Sequence, residues 1–400
     1  MASGRTTSKN TTHTAVIAGA LCAALGCSGS GSANSSASVS SNTGAGGTPV
    51  SDGNPITIGQ GSSATMAIGG NLATGGQLGQ GGQNTGPGGG GGGGCGPGLP
   101  LFPAGAPFNT RVDQAPLDAE SDAIISFLST NHTAGARFQV DFSITVLTAD
   151  SQTPHMPFLP TADHYSPDCD TAPVPVPTGG SLEGEQGYEC TGDGDCHLIV
   201  VDTSACTLYE MWRANIVNNV FNGGCLAVWD LSRIYPPEGR GQYCTSADAA
   251  GFPIAPLTFS ADEIAAGHID HAIRFILPNS LIRSDVFVSP GTHSTSATSG
   301  PSDAPPYAAH LRLKADADLS ALNPAAVIVA HAMQQYGIML ADGGNITFTA
   351  SSDVNTAHTW DEVGFGSQDL KALNWSDFEV IDLGERHMSS GGDCQRTPIQ

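Results

Sequence analysis

Aromatic residues are missing from the first 101 positions of this 400-residue chain, and between Ser28 and Leu101 the only charge is Asp52. A segment so poor in apolar bulk buries too little surface to offset its ordering entropy, so no core is expected before Phe102. Basic residues are scarce as well, 14 Lys and Arg against 37 Asp and Glu. That deficit excludes nucleic acid as a partner, because nothing here neutralises a run of phosphates. No apolar run reaches the roughly 20 residues that a membrane-spanning helix needs. The signatures G-x-S-x-G, H-E-x-x-H and the P-loop do not occur, and the run Gly88 to Gly94 carries no Lys and opens no helix. Paired C-x-x-C units are also absent, which disfavours a zinc site.

What is present begins with an export signal. Arg5 and Lys9 precede a dozen apolar or small residues, Ala15 to Gly26, the length of a signal-peptide core. The stretch ends Ala24-Leu25-Gly26-Cys27, which resembles the bacterial lipobox and implies a lipidated Cys27. An acyl anchor would then be the only attachment to the membrane. Cleavage of the signal, residues 1–27 with Cys27 kept as the new first residue, leaves 12 basic and 37 acidic residues, a net charge of −25, which suits neutral or cationic partners. Residues 28–101 read as a flexible Gly/Ser-rich stalk and residues 102–400 as the folded domain. The expected location is the cell envelope, on the outer membrane or cell surface.

Eight cysteines follow the signal, an even number that suggests disulfides in an exported chain. Cys190 and Cys196 flank a short loop and fit a local staple, while Cys95 and Cys394 are placed to clasp the two ends of the domain. Short runs rich in β-branched and aromatic residues recur between Gly, Pro, Asp and Ser turns. They cover 137–148, 197–202, 208–213, 225–231, 269–277, 309–315, 337–341 and 345–350. Helix signals are fewer. Ser260-Ala-Asp-Glu263 fits a capping box, Asn323-Pro324 opens a helix that Gly337 ends, and Gln368 to Leu373 is a third candidate. The fold class this predicts is all-β, a two-sheet β-sandwich of jelly-roll type with one or two short helices.

Several stretches, among them TSADAAGFPI (Thr245 to Ile254), HAIRF (His271 to Phe275) and RLKA (Arg312 to Ala315), together resemble a family of exported bacterial proteins of unassigned function. The resemblance spans about Phe108 to Glu385. Matching positions include His197, Asp202, Glu210, Asp230, Asp248, His271, Arg274, His293, Arg312, Lys314 and Asp342. The resemblance implies a secreted, β-rich domain acting on cell-wall or environmental glycans.

Chemistry enters through paired carboxylates, since glycosidic cleavage needs one protonated and one ionised acid on a rigid scaffold. Leu208, Glu210 and Trp212 alternate onto one strand face, which sets an acid beside an indole that can hold a sugar ring. Glu210 and Asp342 are therefore the expected catalytic pair, with Trp212, His271, Arg274, His293 and Arg312 around the substrate. The plain alternatives are a solvent-facing Glu210, a core Trp212, a turn-capping Asp342, and an Arg312 paired with neighbouring acids. The function this predicts is a surface-tethered lipoprotein that hydrolyses a polysaccharide without a cofactor. Its alternatives are a non-catalytic module binding a glycan or envelope polymer, and a metal-dependent hydrolase built on His197, His271, His293 and an Asp.

Overall fold

The computed structural model describes residue 98 and residues 100–133, 137–192 and 194–400. The signal, Cys27, Cys95 and nearly all of the stalk lie outside the described residues. Ten strands build the two larger sheets: β1 (Val140–Ile144), β2 (Val146–Ala149), β3 (Leu198–Asp202), β4 (Thr207–Trp212), β5 (Cys225–Asp230), β6 (Ile273–Leu277), β7 (His310–Leu313), β8 (Ile338–Gly343), β9 (Phe348–Ser351) and β10 (Phe378–Val380). Four of them form a sheet in the order β5-β4-β3-β2, and six form another in the order β1-β9-β6-β8-β7-β10.

All eight runs read as strands from the sequence carry strands. The four-stranded sheet shows why they were so apolar. Leu208, Ile199, Val201, Ala227 and Trp229 face the main core, while Leu198, Val200, Met211, Leu226 and Val228 face a second core with Leu147, Phe158, Val174 and Phe221. Burial on both faces removes the need for a polar one, hence the unbroken Leu-Ile-Val-Val of β3.

The chain is β-rich, as expected, but its pairing departs from a purely antiparallel jelly roll. β1 with β9, β6 with β8, and β2 with β3 run parallel. Two-residue hairpins cannot join parallel neighbours, and the path from β6 to β8 runs through β7 and α3 (Pro324–Gln335). Three smaller sheets accompany the two large ones among the described residues, so two layers do not exhaust the strands.

Helices are also more numerous than the one or two expected. α3 begins at Asn323, whose side chain accepts from the Ala326 N–H, and α2 (Ala261–Ala266) carries the full Ser260–Glu263 capping box and stops at Gly267 with φ +84°. α1 (Ser121–Asn131) and α4 (Trp360–Val363) had not been anticipated, and residues 368–373 form turns rather than a helix.

Disulfides join Cys169 to Cys225, Cys190 to Cys196, and Cys244 to Cys394, and Cys206 is disulfide-bonded too. The local staple at 190–196 is as expected. The Cys95–Cys394 clasp is not formed, because Cys394 is taken by Cys244. Nearby, the buried carboxylate of Asp170 receives Arg240 Nη2 at 2.7 Å, Arg396 Nη2 at 2.6 Å and the backbone N–H groups of Val228 and Ile399. Disulfides of this number belong to an oxidising compartment. Among the described residues no helix is long and apolar enough to cross a membrane.

Candidate active site

Six titratable side chains, Glu183, His197, Glu210, Asp248, Arg274 and Asp342, gather where β3, β4, β6, β8 and the loop 245–252 converge. Each is set by a local device. Glu210 lies on the face of β4 that turns to the main core, in register with Ala227 and Ile199. Its Oε1 accepts the Ile254 and Ala255 N–H groups at 2.8 Å each.

The loop 245–252 carries Asp248 inward. Ser246 Oγ accepts the Asp248 N–H at 3.0 Å and donates to the Phe252 carbonyl at 2.7 Å. Gly251 has φ +80°, and a Cβ there would stand 2.0 Å from Thr292 Oγ1, so only glycine completes the turn. The Ala250 N–H donates to the Ala341 carbonyl at 2.9 Å, which ties the loop to β8.

Ala341 is also the bulge of β8. Phe275 pairs with Leu340 but Ile276 pairs with Asp342, so one residue is extra. The slip brings Asp342 to the face of β6 that carries Arg274. Arg274 Nη2 then contacts Asp248 Oδ1 at 2.6 Å and Asp342 Oδ2 at 4.0 Å, and its Nη1 donates to Thr349 Oγ1 at 2.8 Å.

His197 donates Nδ1–H to Glu183 Oε2 at 2.6 Å and Nε2–H to the Ala247 carbonyl at 3.0 Å. Both partners only accept, so the ring holds both protons. Burial opposes that charge, but Glu183 outweighs it and lifts His197 to about 9. Burial likewise opposes the Glu183 charge, yet His197 holds its carboxyl down to about 2.

The other three acids move the opposite way. Burial pushes Glu210 up to about 7 despite its two backbone donors. Burial pushes Asp248 up to about 8, with Arg274 opposing and Asp342 adding to the shift. Asp342 is raised by burial as well, against the pull of Arg274. Four carboxyls thus face two cations, and the cluster retains protons near neutral pH. Asp248 Oδ2, Glu210 Oε2 and Arg274 Nε are buried here without hydrogen-bond partners among the described residues.

The expected site residues divide accordingly. Glu210, Arg274 and Asp342 come together, but Glu210 has no exposed surface, whereas the side chains of Asp342 and Glu183 are 27% and 18% exposed. Glu210 is therefore neither a solvent-facing residue nor one that touches a substrate as placed. Trp212 is half-buried. Its Nε1–H donates to Asp195 at 2.8 Å and the Arg213 guanidinium lies 4.8 Å from its ring centre, so one face is covered.

His293 donates Nδ1–H to the Ala249 carbonyl at 2.9 Å and supports the Asp248 loop. His271 is fully buried, with Nε2–H on Glu263 at 3.0 Å and Nδ1–H on the Ala272 carbonyl at 2.8 Å, outside the cluster. Arg312 pairs with Glu379 at 2.7 Å and donates to the Val112 and Ala115 carbonyls, a framework role rather than a substrate contact.

Both ring nitrogens of His197 and of His271 are donors, so neither offers a metal a lone pair as placed. Among the described residues the one grouping with converging ligand atoms is Glu185, Cys190 and Cys196, and its two sulfurs are already bonded to each other. Glu183 carries no signal in the sequence because it sits in a Gly-rich loop without periodicity, and Asp248, named only among the positions that match the resemblance, is distinguished as a site residue by its contact with Arg274 alone. No family model, curated protein or solved structure matches the chain.

Proposed function

We propose that this exported, lipid-tethered protein hydrolyses glycosidic bonds in an envelope or environmental polysaccharide, with Asp342 as the proton donor. One observation carries the reading. Arg274 is already engaged by Asp248 at 2.6 Å, and Asp342, the raised acid that reaches solvent, stands 4.0 Å from the same nitrogen. A single guanidinium cannot balance two carboxylates, so the Asp248 and Asp342 pair retains a proton, and Asp342, the member that reaches solvent, is the one placed to pass it to a leaving oxygen. Glu183, ionised by His197 and also reaching solvent, is the complementary base or nucleophile. Glu210 becomes a support that fixes the 254–255 turn beneath the cluster.

The test is reducing-end release from a polysaccharide panel. Wild type releases ends and Asp342→Asn loses at least 100-fold, while Glu210→Gln, if it folds, retains the larger part. Release by Asp342→Asn at the wild-type rate, or no release from any glycan, removes the proposal.

A second reading, glycan binding without cleavage, is favoured by the complete burial of Glu210 and the covered face of Trp212. Retention on a polysaccharide column without end release is its signature.

A further inference from the structure

A separate cavity of about 320 Å³ opens between β2, β3, the 255–257 turn, α2 and the end of β9. Its volume lies in the range of small-ligand sites. Val146, Val201 and Ala255 supply an apolar floor, and Ala266 stands on the rim. The polar wall is dominated by acceptors.

Four of its hydroxyls have already given their protons away. Thr203 donates to the Ala149 carbonyl at 3.1 Å, Thr258 to Ile254 at 2.8 Å, Ser351 to Phe259 at 3.3 Å and Thr356 to His358 at 2.6 Å. What they present inward is lone pairs. Asn355 gives one of its two amide N–H groups to the Val146 carbonyl at 3.3 Å and keeps its oxygen as an acceptor. Asp262 and Asp270 add carboxylates, Glu263 being taken up by His271 and the Ser260 cap; among the described residues no Lys or Arg lines the space, and the one imidazole, His268, is held by Asp270 at 3.1 Å. An acceptor-lined, acidic cavity selects donor-rich ligands and repels anions.

We infer that this cavity binds a hydroxylated organic ammonium ion, the chemistry shared by amino sugars and amino alcohols. The ammonium faces Asp270 and Asp262, whose side chains are 48% and 42% exposed, while the hydroxyls meet the Ser and Thr oxygens and the carbon skeleton covers the apolar floor. Neither Asp342 nor Glu183 lines the cavity, so this site stands independently of the proposed hydrolysis.

The experiment measures binding of glucosamine, glucose, glucuronate and ethanolamine to the purified full chain by ligand-observed NMR titration. Glucosamine is expected to bind at least tenfold more tightly than glucose, glucuronate not at all, and the preference is expected to shrink as salt rises. Ethanolamine binding comparable to glucosamine identifies the amino alcohol as sufficient, and weaker binding identifies the sugar ring as required.

Asp270→Asn is expected to weaken glucosamine at least fivefold and leave glucose unchanged. Ala266→Trp, at an exposed position on the rim, is expected to abolish both. Equal binding of glucosamine, glucose and glucuronate overturns the inference, as does tighter binding of the anion, binding untouched by Ala266→Trp, or no binding at all. Reducing-end release is read separately, so failure of either proposal leaves the other standing.

Discussion

Asp342 reaches Arg274 because β8 holds one residue more than its partner strand. With strict alternation Asp342 would share the face of Leu340; the bulge at Ala341 moves it level with Ile276, 4.0 Å from Arg274 Nη2. The guanidinium is almost wholly buried, and the nearer of the two carboxyl groups that share it, Asp248, is fully so. Removing it leaves two acids without their cation.

Arg274→Met is accordingly expected to lower stability by about 3–5 kcal/mol, the usual cost of breaking a buried ion pair from one side. Arg274→Lys restores part of that loss, since one ammonium cannot serve both Asp248 and Thr349. Urea unfolding of the three proteins at neutral pH checks the order. Equal stability of Met and wild type contradicts it.

The pH dependence follows from three groups that agree in sign. His197, raised to about 9, contributes stability that is complete below about 6.5 and lost as pH rises through its folded value. Asp248 and Glu210, raised to about 8 and about 7, bind protons that the unfolded chain has released, so they too lose stability as pH rises. Unfolding free energy is therefore expected to fall steadily between pH 6.5 and 9. Glu210→Gln loses less than wild type between pH 5 and 7, because that contribution no longer titrates. A flat wild-type profile would count against the protonated cluster.

Cys244 and Cys394 close a loop across 150 positions. Replacing both by Ser is expected to destabilise the domain by about 2–5 kcal/mol through the freed unfolded chain. A reductant should lower the melting temperature of wild type more than that of the double variant.

The sequence revealed strands more readily than their arrangement. β3 and β4 stand out because β-branched and aromatic residues fill short runs, and α2 and α3 because Ser260, Asn323 and the closing glycines are local signals. α1 has no such signal, since its N-cap, Glu120, makes no side-chain cap bond, and α4 is only four residues long, too short to show a period. The candidate site was half legible. Glu210, Arg274 and Asp342 were singled out, but the burial of Glu210 depends on a second layer over β4 that alternation along one strand does not reveal. Glu183 with His197, and Asp248 with Arg274, are partners 14 and 26 positions apart, and no local pattern announces them. Asp342 reads from the sequence as a turn residue and does accept the Gly343 N–H at 2.6 Å; the bulge that gives it a second role leaves no mark in composition.

The final stretch of chain reaches back into the body of the domain. Cys244 waits for Cys394, and Asp170 for Arg396 and the Ile399 amide, so these bonds can form only after residues 394–399 have emerged. The covalent half of that closure also needs an oxidant, so in a reducing compartment the 150-residue loop stays open even after the whole segment has been made.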